Sequence, residues 1–292
     1  MMDSNPLVSV IIPTFNREEL LKRAIESVLS QTYQNFEVLI IDNYSQDRTQ
    51  DIIASFDDSR LKTHFIHNQG IIAKSRNIGI KYSVGDLIAF LDSDDYWNKD
   101  KLLKSVMALK NGADITYHNM RIITPIKSTR TNCRKLDPEN SFHDLMVNGN
   151  TLSTSSVVLN RNKIKDKLFN ESLDCVGWED YELWLRLAKS NNSFYFIDCI
   201  LGAYAKHDGN FDSSLQVIHN IKNIKKLYIT EYERLLSIQV WWVEYTLALA
   251  FLDIKNYNKF FYHACQAIWK PSGIIRRMKN FTKLCIKFFK FK

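Results

Sequence analysis

The chain holds 292 residues, 45% of them hydrophobic and few of them Gly or Pro, with a formal charge of +7, ample for a real core as one large domain or two modest ones. Its five cysteines are scattered, odd in number and without a C-x-x-C pair, which excludes a disulfide or zinc framework and reads as reduced thiols in a cytoplasmic protein. The short polar start Met1–Pro6 does not read as a signal peptide, and no apolar span reaches the roughly 18 residues of a membrane helix; the best, Val240 to Ile254, is broken by Glu244 and Asp253. Taken in chain order, apolar runs at Leu7–Phe15, Phe36–Asp42, Leu61–His67, Leu87–Leu91 and Ala113–Met120 predict strands. Helical spacing predicts helices over Glu18–Ser30, Thr49–Ser55, Ile72–Tyr82 and Lys99–Lys110 between them.

Nearly continuous apolar strands alternating with helices predict an α/β fold, a mainly parallel sheet flanked by helices on both faces. Ligands bind such sheets beyond the carboxyl ends of the strands, and Asn16, Arg17, Asp42, Asn43, Asn68 and the acids from Asp92 fall there. Thr124–Asn140 is polar and aperiodic and reads as a loop. Then come a strand over Ser153–Asn160, a helix over Trp178–Ser190 and one or two strands over Ser193–His207. Helices follow at Leu215–Leu236, Val240–Leu252 and Lys259–Trp269. The change of pattern divides the chain into residues 1–210 and a helical extension, 211–292.

The last stretch, Gly273–Lys292, carries much of the positive charge. Ile274, Ile275, Met278, Phe281, Leu284, Cys285, Phe288 and Phe289 recur at helical spacing among arginines and lysines. A basic amphipathic helix suits an anionic membrane surface, and the same stripe also suits docking on the protein's own core. Nucleic acid is not expected, because no basic patch with interleaved aromatics occurs elsewhere.

The densest chemistry is in "LIAFLDSDDYW", residues 87–97, where an apolar strand ends in Asp92, Asp94 and Asp95. Asp92 and Asp94, two residues apart, share one side of an extended chain. Hard oxygen donors with open positions suit Mn²⁺ or Mg²⁺, which one or two carboxylates and a substrate's phosphates commonly hold. A solvated turn would show the same letters. In "GWEDYELWLRLA", Glu179 and Asp180 precede an amphipathic helix, where acids complement the helix dipole without any catalytic duty.

Together these stretches, with "VSVIIPTFNREELLKRAIESVLSQTYQNFEVLIIDNYSQD" and "NQGIIAKSRNIGIKYSVGD", resemble the family 2 glycosyltransferases, inverting nucleotide-sugar enzymes with the Rossmann-like GT-A fold. The resemblance spans residues 1–210 in the family's order and spacing. It implies that Pro13, Thr14, Phe15 and Asn16 cradle the nucleotide and that Asp42 accepts from a ring N–H of the base. The family usually follows that aspartate with Asp-Gly-Ser, where this chain has Asn43-Tyr44-Ser45. It further implies that Arg76 lies near the diphosphate, Asp92 and Ser93 contact the donor, Asp94 holds the metal with Asp95 assisting, and His207 completes the metal site.

By the same resemblance Asp180 is the catalytic base, with Glu179 beside it at the acceptor pocket. The helix N-terminus is expected to keep Asp180 ionised and so a weak base, with departure of the leaving group running ahead of proton transfer. The implied activity moves a sugar from a nucleoside diphosphate, a UDP-sugar first, to a hydroxyl of a glycan or lipid-linked glycan in cell-surface polysaccharide synthesis. The enzyme would be cytoplasmic and peripheral on the membrane face. Two alternatives stay open on the residues alone. One is a non-catalytic subunit that binds nucleotide sugar or glycan. The other is a phosphatase of the haloacid-dehalogenase type, whose strand also ends in D-x-D.

Overall fold

The computed structural model describes residues 5–124, 128–164, 167–205, 213–236, 240–269 and 274–290. The chain forms two compact units, one of Met1–Ser141, Thr151–Glu171 and Glu179–Asp208, the other of Phe142–Asn150, Ser172–Trp178 and Gly209–Lys292. The second unit is thus discontinuous in sequence, its two short segments Phe142–Asn150 and Ser172–Trp178 preceding the long one, Gly209–Lys292.

In the first unit the elements run β1 (Val8–Thr14), α1 (Glu18–Leu29), β2 (Phe36–Asp42), α2 (Thr49–Ala54), β3 (Leu61–Phe65), α3 (Ile72–Tyr82) and β4 (Leu87–Phe90). Every residue of β1, β2 and β4 is buried, as expected for strands covered on both faces. On α1, Leu21, Ala24, Ile25 and Val28 are fully buried because spacings of three and four put them on one stripe. They pack with Val10, Ile12, Val38, Ile40 and Ala89, and burying each large aliphatic side chain contributes roughly 1.5–3 kcal/mol. On α3, a Cβ at Gly79 would run into Ile11 Cγ2, so that glycine lets the helix lie close against β1.

After β4 come β5 (Asp95–Trp97), α4 (Lys101–Lys110), β6 (Ile115–Ile123) and β7 (Ser128–Arg130), then α5 (Ser141–Asn148), β8 (Val158–Asn160), α6 (Arg161–Ile164), α7 (Glu179–Lys189) and β9 (Phe194–Ala205). The sheet is ordered β3-β2-β1-β4-β8-β6-β9-β5, with β7 on β6. Its first four strands are parallel, as the alternation implies, with Thr14 beside Asp42 and Ile11 beside Phe90. From β8 on it is mixed: β8 runs antiparallel to β4 and β6, and β5 antiparallel to β9. Three local differences from the sequence reading matter. The strand expected over Leu87–Leu91 is followed, after the turn at Asp92–Asp94, by a second short strand, β5, that the pattern did not predict. The expected loop over 124–140 carries β7. The first half of the expected 153–160 strand is a tight turn, Thr154–Ser156.

In the second unit α5 meets the helical part through Phe142, edge-on to Tyr232 at 5.5 Å, and through Met146 O, which accepts from Trp242 Nε1 at 2.9 Å. The helices are α8 (Ser214–Ile224), α9 (Thr230–Leu236), α10 (Trp241–Asp253), α11 (Tyr257–Trp269) and α12 (Ile274–Lys290). The single helix expected over 215–236 runs through α8 and α9 and widens into one π-type turn at Lys225–Ile229. Along α12 the stripe divides. Leu284 is buried and Phe288 stacks on Phe260 of α11 at 5.5 Å, while Met278, Phe281 and Ile286 are exposed. No helix among the described residues is long and apolar enough to cross a membrane.

Candidate active site

Everything that follows lies in the first unit, at the carboxyl ends of β1, β2, β3 and β4. At the β1–β2 end, Asp42 is fully buried. Its Oδ1 accepts from the Ser45 N–H at 3.0 Å and from the Ser45 hydroxyl at 2.6 Å, and its Oδ2 has no hydrogen-bond partner among the described residues. The turn that Ser45 closes puts Tyr44 at φ +53°, the left-handed region that glycine adopts without strain. A tyrosine there has nonetheless kept the turn. Its ring is stacked on His67 at 4.0 Å and tilted against Phe65 at 5.6 Å. Asn16, at φ +50°, ties β1 to the same turn: its N–H donates to Ser45 Oγ at 2.9 Å, and its Oδ1 accepts from Gln46 N–H at 2.8 Å.

Beside this turn opens a cavity of about 270 Å³ lined by Phe15, Asn43, Tyr44, Gln46, His67 and Gln69. Half-exposed Phe15 and Tyr44 give it two aromatic walls, a shape suited to a flat heterocycle. Phe15 was expected here; Tyr44 and His67 were not, and Asn16 lies in the adjoining turn.

At the end of β4 the acids do not lie on an extended chain, as expected. Asp92-Ser93-Asp94-Asp95 is a tight turn in which the Asp95 N–H donates to Asp92 O at 2.9 Å. Turning there separates the roles of the three carboxylates. Asp92 is partly exposed, and Ser93 and Asp95 are buried. Burial, with Asp92 and Asp94 close by, pushes the Asp95 carboxyl well above its usual range, against a bond from Ser155 and the nearby Arg23. Arg23 of α1 donates to the Asp94 carbonyl at 2.7 Å and lies 4.6 Å from the Tyr96 ring centroid.

Arg76 of α3 links this turn to α7. Its Nη2 donates to Asp92 Oδ1 at 2.8 Å and its Nη1 to Glu179 Oε1 at 2.7 Å, under a Phe169 ring at 5.3 Å. The side chain is 4% exposed. Burial works against its charge, but the coulombic pull of Asp92 and Glu179 holds the pKa above the ordinary arginine value. The guanidinium fork expected to face an anion is thus filled by two carboxylates of the protein.

Asp180 stands next to this pair. Its Oδ1 accepts from Tyr181 N–H at 2.6 Å and its Oδ2 from Thr154 Oγ1 at 3.0 Å. Burial and the Glu179 charge push its pKa up to about 6, against Arg76 and the two hydrogen bonds. The sequence reading expected the helix end to keep Asp180 ionised and therefore a weak base; a raised pKa makes it the stronger base, because desolvation outweighs the dipole here. A group at about 6 is ionised at neutral pH and basic enough to take a proton. The Thr154–Ser156 turn, read as strand from sequence, is the part that reasoning missed. Thr154 serves Asp180, while Ser155 Oγ accepts from the Asp92 N–H at 3.0 Å and Ser155 O from Trp97 Nε1 at 2.7 Å.

Among the described residues no group of three His, Cys, Asp or Glu side chains is arranged to cage a metal, and His207 lies outside them. Asp94 and the second oxygen of Asp92 remain the hard donors at the strand end.

An aromatic cavity, a buried carboxylate and an acid turn thus gather where an open α/β sheet binds its ligands, beyond the carboxyl ends of the strands, as the resemblance to GT-A glycosyltransferases implies. Comparison with known proteins agrees. The model of glycosyl transferase family 2 matches residues 9–166. The Escherichia coli enzyme named UDP-Glc:alpha-D-GlcNAc-diphosphoundecaprenol beta-1,3-glucosyltransferase WfgD is 36% identical over 64% of this chain and 71% of its own. WfaP, named for the same reaction in the same organism, is 29% identical over 80% and 91%. In structure, S. aureus TarS in complex with UDP gives a TM-score of 0.60 at 18% identity, covering 97% of this chain and 89% of that one. At that identity the match speaks for the fold. The chain belongs to glycosyl transferase family 2 and is a glycosyltransferase.

Proposed function

We propose that the enzyme transfers a sugar from a nucleoside diphosphate, a UDP-sugar first, to a hydroxyl of a lipid-linked glycan in cell-surface polysaccharide synthesis, inverting the anomeric carbon. The observation that carries the chemistry is Asp180, its pKa pushed up to about 6 beside the Asp92–Arg76–Glu179 bridge. The acceptor oxygen attacks the anomeric carbon from the face opposite the diphosphate, the bond to the diphosphate breaks, and the acceptor proton passes to Asp180. The base lies in the cavity between Phe15 and Tyr44, with Asp42 accepting a ring N–H on its Oδ2, which has no partner among the described residues. Pro13, Thr14 and Asn16 shape that cradle, and Ser93 meets the donor with Asp92. The reactions named for WfgD and WfaP support the donor and the acceptor class.

A divalent cation fits the donor set. Mn²⁺ or Mg²⁺ is usually held by one or two carboxylates with substrate phosphates completing the shell, so no all-protein cage is needed. Asp94 would hold it, with His207 as a further ligand, and the ion would stabilise negative charge on the departing diphosphate. A solved neighbour, the mannosyltransferase PcManGT of Pyrobaculum calidifontis, is a complex with GDP-Man and Mn2+ at a TM-score of 0.59. Lys283 and Lys287, exposed on α12, support a peripheral site of action on the cytoplasmic face of an anionic membrane.

The test is transfer from UDP-glucose to a GlcNAc-diphospholipid, with and without Mn²⁺, beside a thermal-shift series with UDP. Asp180→Asn is expected to abolish transfer while UDP still raises Tm, and Asp94→Ala to remove the Mn²⁺-dependent part of that rise. Transfer that survives in Asp180→Asn would defeat the assignment of the base.

A further inference from the structure

We propose that Thr154 is a positioning residue for the transfer step: its hydroxyl fixes the Asp180 carboxylate relative to the acid turn. This rests on the reading of Asp180 as the base. The geometry points to it from both ends of one short turn. Thr154 Oγ1 donates to Asp180 Oδ2 at 3.0 Å, and the next residue, Ser155, receives the Asp92 N–H at 3.0 Å. Ser155 also bonds the Asp95 carboxyl, and its carbonyl takes Trp97 Nε1 at 2.7 Å. Thr154, Ser155 and Ser156 are buried, at 6%, 0% and 0% exposure, so water cannot easily replace either bond. Two adjacent residues therefore register the base on α7 against the acids that end β4. A carboxylate held by one donor on each oxygen has little freedom to rotate, which keeps one lone pair aimed where an acceptor hydroxyl must arrive.

The groups that face Asp180 decide what losing Thr154 does. Glu179, on its own helix, raises its pKa; Arg76 of α3 lowers it, as do the Tyr181 N–H and the Thr154 hydroxyl. Removing the hydroxyl deletes a donor that favours the charged form, so Asp180 should become harder to ionise. A purely structural threonine would lower activity equally at every pH.

The experiment is the pH profile of kcat and the donor KM for wild type, Thr154→Val, Thr154→Ala and Thr154→Ser, with Asp180→Asn alongside. In the valine and alanine variants the acid limb of kcat should move up by about one pH unit, with activity recovering in base, the size expected for one lost charge-assisted bond. Donor KM should stay within about twofold, since the bond acts on the base and not on nucleotide binding. Serine should restore the wild-type limb. An unmoved limb in a folded donor-less variant overturns the proposal while leaving Asp180 as base. Transfer that persists in Asp180→Asn overturns both. If the two donor-less variants fail to fold while serine folds, the bond is structural and the proposal also falls.

Discussion

Arg76 Nη1 donates to Glu179 Oε1 at 2.7 Å, joining two points of the chain 103 residues apart. The same guanidinium holds Asp92, so one buried cation compensates the acid that ends β4 and the acid that begins α7. Removing one member of a buried ion pair leaves a charge without its partner, typically destabilising by about 3–5 kcal/mol. Arg76→Met should therefore lower Tm by on the order of 10 °C and abolish transfer. Arg76→Lys keeps the charge but offers no planar fork, and a single ammonium is a poor bridge between two carboxylates. It should fall between wild type and Arg76→Met in both Tm and rate. Differential scanning calorimetry with parallel assays reads this directly; equal Tm for wild type and Arg76→Met would show that the bridge carries no stability.

The pH dependence follows from Asp180. A base titrating at about 6 predicts that kcat is flat near neutrality and falls tenfold per unit below pH 6. Stability runs the other way. The folded pKa of about 6 lies above the ordinary 3.8, so a proton on Asp180 favours the folded state. That contribution is fully present below about pH 4 and is lost as pH rises through 6. Asp180→Asn should then stabilise the protein at pH 8 by up to about 3 kcal/mol, and little at pH 4. Urea unfolding at the two pH values checks it, and an Asn variant no more stable at pH 8 would mean the carboxylate is not strained by burial.

Much of this was legible in the chain. Strands β1, β2 and β4 announce themselves because both faces are buried, leaving unbroken runs such as Phe36–Asp42 between amphipathic helices. Their polar ends then mark Asp42 and Asp92. What escaped depends on distance through space. Thr154–Ser156 looks like strand because Ser and Thr precede Val157 and Val158, and only the fold turns their hydroxyls toward acids 26 and 63 positions away. The basicity of Asp180 was misjudged for the same reason: helix position is local, whereas desolvation is set by the surrounding fold. Asp95 is adjacent to Asp94 in sequence, yet as the first residue of β5 it is buried, which the sequence spacing does not show.

Tyr44 replaces a glycine of the family pattern and keeps a glycine-like φ of +53°. A non-glycine residue in that region costs of order 1–3 kcal/mol, offset in part by the His67 and Phe65 ring contacts, each worth about 0.5–1.5 kcal/mol. Tyr44→Gly should thus change stability by no more than about 1 kcal/mol. Losing an aromatic wall of the cavity should weaken UDP by about tenfold, since stacking a base on an aromatic side chain is worth roughly 1–3 kcal/mol. Isothermal titration with UDP separates the two effects. An unchanged Kd would place the base elsewhere.

For the membrane, deleting the tail is a poor test, because Leu284 and Phe288 pack inward and their loss would uncover Phe260. The exposed side of α12 can be altered without touching that contact. Lys283 and Lys287 are exposed, as are Met278, Phe281 and Ile286. Each lysine near an anionic surface contributes about 1 kcal/mol, and reversing its sign replaces attraction with repulsion. Lys283→Glu with Lys287→Glu should therefore cut binding to vesicles containing anionic lipid by 100-fold or more, roughly 3 kcal/mol. Neutral vesicles should show no difference, and added salt should weaken the wild type toward the variant. Transfer to a water-soluble acceptor should be unchanged, whereas transfer to a lipid-linked acceptor in vesicles should fall. Equal sedimentation of both proteins with anionic vesicles would show that the basic face of α12 is only solvated and that the enzyme meets its acceptor without it.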